Sequence, residues 1–197
     1  MATDSIVRRL DRARKLEMRN ESRHLLEGAA PSVAYSREYR FQAEHCGREY
    51  LPSSCHGLIY SEADSQASLL FYAVGGASAV HPRSLCVIEE QCFAAVGPYV
   101  VCLSLPNLEL RWSTKVDSAT CFGIHLLADR QGLISHGELE VARVALSGEI
   151  VWAAGGADIF SEGLSVSDAH VTVTDFNQDE YVFDIETGHV LASTVGS

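Results

Sequence analysis

The sequence has no apolar run that approaches the roughly 20 residues needed to span a bilayer, so neither a membrane span nor a membrane partner is expected. Its first stretch, "MATDSIVRRLDRARKLEMRNESRHLLEG", lacks an apolar core followed by small cleavage residues, unlike a secretory signal. Asp4, Asp11, Glu17, Glu21 and Glu27 set it apart from an organelle transit peptide, which is poor in acids. A cytoplasmic location is the expectation. No basic stripe exists either. Residues 1–50 carry a net charge of +2 and residues 51–197 a net charge of −13. Such a surface repels phosphate backbones, so nucleic-acid binding is not expected. No G-x-S-x-G surrounds any serine, which removes the nucleophile elbow from consideration.

Hydrophobic residues make up 47% of the chain and charged residues 21%, an ordinary globular balance over 197 residues. Six cysteines, at 46, 55, 86, 92, 102 and 121, permit three disulfides on parity alone. Without a secretory signal they read as reduced thiols, and the last four sit among Val, Leu, Phe and Ala as small buried hydrophobes.

A repeat organises the rest. "LELRWS" (108–113), "GEIVWA" (148–153) and "GHVLAS" (188–193) superpose with Trp112, Trp152 and Ala192 spaced by 40 residues. Tyr72 falls 40 before Trp112, and "AVGGA" (73–77) lies 80 before "AAGGA" (153–157), which marks four units ending near 72, 112, 152 and 192. Within them, "HVTVTDF" and "EYVFDIETGHVLA" are short β-rich runs broken by turn residues. "LSGE" and "ETGH" place a glycine at one turn position, where a positive φ is inexpensive. Forty residues accommodate four short strands, the content of one propeller blade. The recurrent aromatic is expected to cap its blade against the next.

"VALSGEIVWAAGG" and "FDIETGHVLAS" resemble the blade-closing stretch of pyrroloquinoline-quinone-type (quinoprotein-like) β-propeller repeats, apolar–Ala/Asp–Leu–x–x–Gly–x–x–Leu/Val–Trp. The resemblance covers residues 73–197 well and 33–72 poorly. It implies a mainly β fold of about four antiparallel blade-like repeats, a small or partial propeller. Such blades serve enzymes, assembly factors and scaffolds alike, so it carries no cofactor to this chain. An open arc would expose blade edges that invite a partner or a second copy.

Ahead of the blades, residues 4–27 read as an α-helix that Asp4 caps and Gly28 ends, with Ile6, Leu10 and Ala13 on one face. The expected division is a helical segment, 1–31, followed by a repeat β domain, 32–197. That helix is a second candidate contact for a partner or another subunit. "SVAYSREYRFQ" (32–42) alternates Val33, Tyr35, Tyr39 and Phe41 as a half-buried strand does.

Two residue sets could hold metals. His45, Cys46, Cys55 and His56 bracket eight residues and supply the donor types of tetrahedral zinc, although adjacent ligands on a strand point to opposite faces. Asp175, Asn177, Asp179 and Glu186 occupy positions 1, 3, 5 and 12 of a calcium loop, but Glu180 stands where the sharp turn wants glycine. The two "GGA" segments follow no Rossmann spacing and read as turns between blades. Histidines 125, 136, 170 and 189 are dispersed, and no catalytic pair is identified.

The expected function is therefore that of a non-catalytic interaction or scaffold domain with a protein partner. One concrete form is an acidic, immunity-like inhibitor of a basic protein, which the −13 balance motivates. A hydrolase using His, Asp or Cys at a propeller mouth is the alternative from another class. A metal- or small-ligand-binding sensor is the third.

Overall fold

A computed structural model describes residues 5–22, 24, 25, 28–41 and 52–194. Among them seventeen strands form four sheets. Sheet A holds β1 (Ser5–Arg9), β2 (Arg14–Asn20), β3 (Arg37–Phe41), β4 (Ser54–Glu62) and β5 (Ser65–Ala73) in the order β1-β2-β4-β5-β3. Sheet B is β6 (Leu85–Ile88), β7 (Gln91–Val96), β8 (Tyr99–Ser104) and β9 (Glu109–Lys115). Sheet C is β10 (Cys121–Leu126), β11 (Gly132–Gly137), β12 (Glu140–Ala145) and β13 (Ile150–Gly155). Sheet D is β14 (Gly163–Val166), β15 (His170–Thr174), β16 (Glu180–Asp184) and β17 (Val190–Ser193). B, C and D are antiparallel meanders, and β3 joins A by parallel pairing with β5.

The sheets stack face to face in chain order. Leu16, Met18, Leu58, Phe71, Ala94 and Val101 pack A on B. Phe93, Val100, Cys121, Leu133 and Val144 pack B on C, and Ile134, Val141, Val171, Val173 and Phe183 pack C on D. Sheet B is covered on both faces, so β8 reads as a continuous buried run from Val100 to Leu103. Sheet D is covered on one face, and β15 alternates, with Val171 and Val173 buried between more exposed neighbours. Among the described residues no buried cluster joins D back to A, an arrangement consistent with a partial propeller.

The expected N-terminal α-helix is not present. Residues 5–20 are the β1–β2 hairpin, registered Ser5↔Arg19 to Arg9↔Lys15, and β2 continues the sheet onto β4. The working period is two rather than 3.6: Leu16 and Met18 are fully buried, while Lys15, Glu17 and Arg19 alternate with them. The Asp11 carboxylate accepts from the backbone N–H groups of Ala13 and Arg14 at 2.8 and 2.9 Å, which closes the turn. Leu10 and Ala13, expected on one helical face, lie in this turn instead. A helix-mediated contact with a second subunit falls with it.

The repeat marks how neighbouring sheets lock. Trp112 on β9 donates its Nε1–H to the Leu146 carbonyl of the next sheet at 2.9 Å, and Trp152 on β13 does the same to Ile185 at 3.0 Å. Tyr72 does not share this role. It lies on the far face of sheet A with Cys55 and Leu70, beneath the Arg40 guanidinium. Tyr35 and Leu25 cover that face, whereas the outer face of sheet D bears no such cover among the described residues.

Candidate functional site

In every sheet the first strand in chain order, β1, β6, β10 or β14, is an edge strand. Clefts open between these inner edges. A cavity of about 450 Å³ is lined by Arg8, Arg9 and Arg14 of the hairpin, Cys86 and Val87 of β6, Glu89, and Arg130 of the β10–β11 loop. Beside it, a cavity of about 330 Å³ lies between Arg83, His125, Ser165, Ser167 and Asp168. A third, of similar volume, carries Asp129, Asp168 and Glu186. The lining therefore changes from mostly arginine in the first cavity to carboxylates in the third.

Strand pairing explains how the basic wall is held. Arg8 stands opposite Leu16 on β2, so it shares the face that carries Leu16 and Met18 onto sheet B. Its guanidinium donates to the Pro82 carbonyl, one residue from Arg83. Arg14 spans Asp11 at 2.6 Å and Glu90 at 3.0 Å, tying the hairpin turn to the β6–β7 turn. Arg9 and Arg130 are exposed, and neither takes an ion-pair partner among the described residues.

The nucleophiles near the mouth are quiet. Burial pushes the Cys86 thiol up to about 12 despite the nearby Arg8 charge. Burial likewise raises Cys55 and Cys121 to about 12, Cys102 to about 11 and Cys92 well above the usual thiol range. At neutral pH these thiols are protonated packing groups rather than thiolates. His125, on the wall of the second cleft, is held down to about 4 by burial, with Arg83, His136 and His81 adding to the effect. His136 is lowered chiefly by burial as its Nε2 meets the Phe160 carbonyl at 3.0 Å, and its ring meets Phe122 edge-on.

Of the eight residues singled out as metal ligands, the structure describes six. His45 and Cys46 lie outside the described residues. Cys55 and His56 are consecutive on β4 and face opposite sides: Cys55 pairs with Tyr72 on the far face, and His56 pairs with Phe71 on the side toward sheet B. Asp175 is fully buried and its carboxylate accepts from the N–H groups of Asn177 and Asp179 and from the Tyr181 hydroxyl. Glu186 pairs instead with Arg143 of the neighbouring sheet. No three His, Cys, Asp or Glu side chains gather as a metal site among the described residues. The first Gly-Gly pair lies in the connection from sheet A to sheet B and meets the connection from B to C: Gly76 donates to the Ala119 carbonyl at 2.8 Å, and Gly75 has φ +131°.

Sequence reasoning did not find the axial cleft. Its walls come from residues 8, 86 and 130, far apart in the chain and on three different sheets or their loops. The only available signal was the +2 balance of residues 1–50 against the acidic remainder.

No protein-family model matches this chain, and no curated protein matches it. Solved structures do. The chain is similar to hydrazine synthase of Kuenenia stuttgartiensis with 11% identity and a TM-score of 0.52, over 70% of this chain and 42% of that one. It is similar to the computationally designed Ika4 protein with 14% identity and a TM-score of 0.50, over 60% of this chain and 76% of that one. BamB from Moraxella catarrhalis matches at 11% identity and a TM-score of 0.48, over 70% of this chain and 42% of that one. At these identities the likeness concerns the fold, a propeller-like stack of blades. The chain spans about two fifths of the first solved structures it resembles. No helix among the described residues is long and apolar enough to cross a membrane.

Proposed function

We propose that this protein is a non-catalytic interaction module whose working face is the axial mouth of the open arc. The carrying observation is the convergence of Arg8 and Arg14, from the hairpin of sheet A, and Arg130, from the β10–β11 loop of sheet C, on one concave cleft of an otherwise acidic chain. Holding Arg8 and Arg130 without a carboxylate partner among the described residues, in a chain that has 26 carboxylates, has an electrostatic cost, which a bound partner of negative charge offsets. The test is affinity capture from the native cells with two charge-reversed forms. Arg8→Glu with Arg130→Glu is expected to strip the captured partner, and Arg111→Glu, exposed on the outer strand β9, to retain it. An unchanged partner after reversal at the mouth overturns the reading.

The −13 balance of residues 51–197 supports a second reading, in which the outer surface docks a basic protein as an inhibitor does. That binding would survive reversal of the axial arginines and weaken when outer carboxylates are replaced.

A further inference from the structure

We propose that the cleft between sheets A, B and C binds a small molecule carrying linked phosphoryl groups, with Arg8 and Arg130 as facing clamps. The proposal rests on the axial-mouth reading and names its ligand chemistry.

Three observations carry it. First, every cation lining the cleft is an arginine, in a chain whose basic residues are 13 Arg and 2 Lys. A guanidinium offers a planar fork of N–H donors that matches phosphoryl oxygens two at a time, which an ammonium does not. Second, the forks come from different elements, Arg8 from β1 and Arg130 from the β10–β11 loop, and Cys86, Val87 and the carboxylate of Glu89 complete the lining with them. A planar carboxylate is satisfied by one fork in its own plane. A tetrahedral phosphoryl group presents oxygens in several directions, and convergent arginines from separate sheets suit that shape. Third, the charge is available. Asp11 and Glu90 engage Arg14 alone, so Arg130 and Arg9 remain without an ion-pair partner among the described residues. The cavity, about 450 Å³, accommodates a diphosphate and its substituent, and falls within the size range of small-molecule sites. The acidic body, at −11 for the whole chain, disfavours a long polyphosphate backbone running beyond the mouth and restricts the ligand to a compact one.

Titration calorimetry of the full chain with inorganic pyrophosphate tests this, with citrate as the carboxylate probe. The expected result is saturable 1:1 binding of pyrophosphate, with citrate at least about tenfold weaker. Arg130→Gln, an exposed loop substitution, and Arg8→Gln are each expected to weaken binding by about tenfold or more, while Arg130→Lys recovers only part of it and Arg111→Gln leaves it unchanged. Thermal melting of each variant establishes that it remains folded. No saturable binding, equal affinity for citrate, or indifference to both Arg8→Gln and Arg130→Gln overturns the proposal. If pyrophosphate fails to bind while Arg8→Glu with Arg130→Glu still strips the captured partner, the phosphoryl assignment falls and the axial-mouth reading stands.

Discussion

Trp152 lies flat against Gly188 of the next sheet: a Cβ built on Gly188 would stand 2.6 Å from the indole Cδ2. Trp112 and Gly148 repeat the arrangement one sheet earlier, again at 2.6 Å. Both glycines also hold positive φ, +71° and +92°, so each is required twice, once by the backbone and once by the ring. The 40-residue period in the sequence is the trace of this contact. Each indole then donates its N–H to a carbonyl just ahead of the glycine it covers, at Leu146 or Ile185.

Gly188→Ala is therefore expected to destabilise the fold by about 2–4 kcal/mol, the sum of left-handed backbone strain and overpacking against the ring. Urea unfolding followed by circular dichroism checks it. Combining Gly188→Ala with Trp152→Phe, which shrinks the ring, is expected to cost less than the two separate effects together. Strict additivity would show that the ring and the glycine do not meet.

Asp117 is a second lock, between sheets B and C. It is buried, and its Oδ1 accepts from Ala119 and Thr120 while Oδ2 accepts from Leu139 and Glu140, all backbone N–H groups at 2.6–3.0 Å. Asp117→Ala leaves four donors without their acceptor and is expected to cost about 3 kcal/mol or more. Asp117→Asn keeps one acceptor oxygen and turns an NH₂ toward opposing donors, so it is expected to recover little. A thermal melt of both variants decides this.

Acid is expected to loosen the core through its histidines. His56 is 2% exposed, its Nδ1 has no hydrogen-bond partner among the described residues, and burial holds its imidazole down to about 4. His125 is lowered to about 4 and His136 is lowered too, both chiefly by burial. With folded values below the unfolded value of about 6.5, the unfolded chain takes up protons first, so stability falls as pH drops from about 6.5 toward 4. For His56 alone the loss is on the order of 3 kcal/mol. His56→Leu is expected to flatten part of that slope in urea midpoints measured from pH 7 to pH 5, and an unaltered slope would count against it.

The cover over sheet A depends on Gly57. A Cβ there would fall 1.9 Å from the Tyr35 hydroxyl, which donates to Glu21 at 2.6 Å. Gly57→Ala is expected to displace Tyr35 and expose Tyr72 and Leu70 without unfolding sheets B to D. Limited proteolysis is expected to cut near Tyr35 faster, at an unchanged rate elsewhere.

Much of this was legible in the sequence where contact and period coincide. Trp112, Trp152 and their turn glycines announce themselves because each blade repeats one geometry at one spacing. The β1–β2 hairpin was not legible, because Leu16 and Met18 are its only buried pair and both residues also suit helices. β3 was legible as a strand from the alternation of Tyr39 and Phe41, but its parallel pairing with β5, about thirty residues on, was not, because no local pattern encodes it. Tyr72 held the phase of the tryptophans but not their side of the sheet, since neighbouring strand positions face opposite ways, and Phe71 is the residue that meets sheet B. The axial cleft assembles from residues far apart in the chain, so its arginines carried no motif.

On the proposed reading the mouth, and not the perimeter, meets the ligand. Hydrogen exchange with and without pyrophosphate or the captured partner distinguishes the two surfaces. Slowed exchange is expected in the β1–β2 hairpin around Arg8 to Arg14, at Cys86 to Glu90 and at the loop bearing Arg130. Slowing confined to the outer strands β13 and β17, with the mouth unchanged, would contradict it.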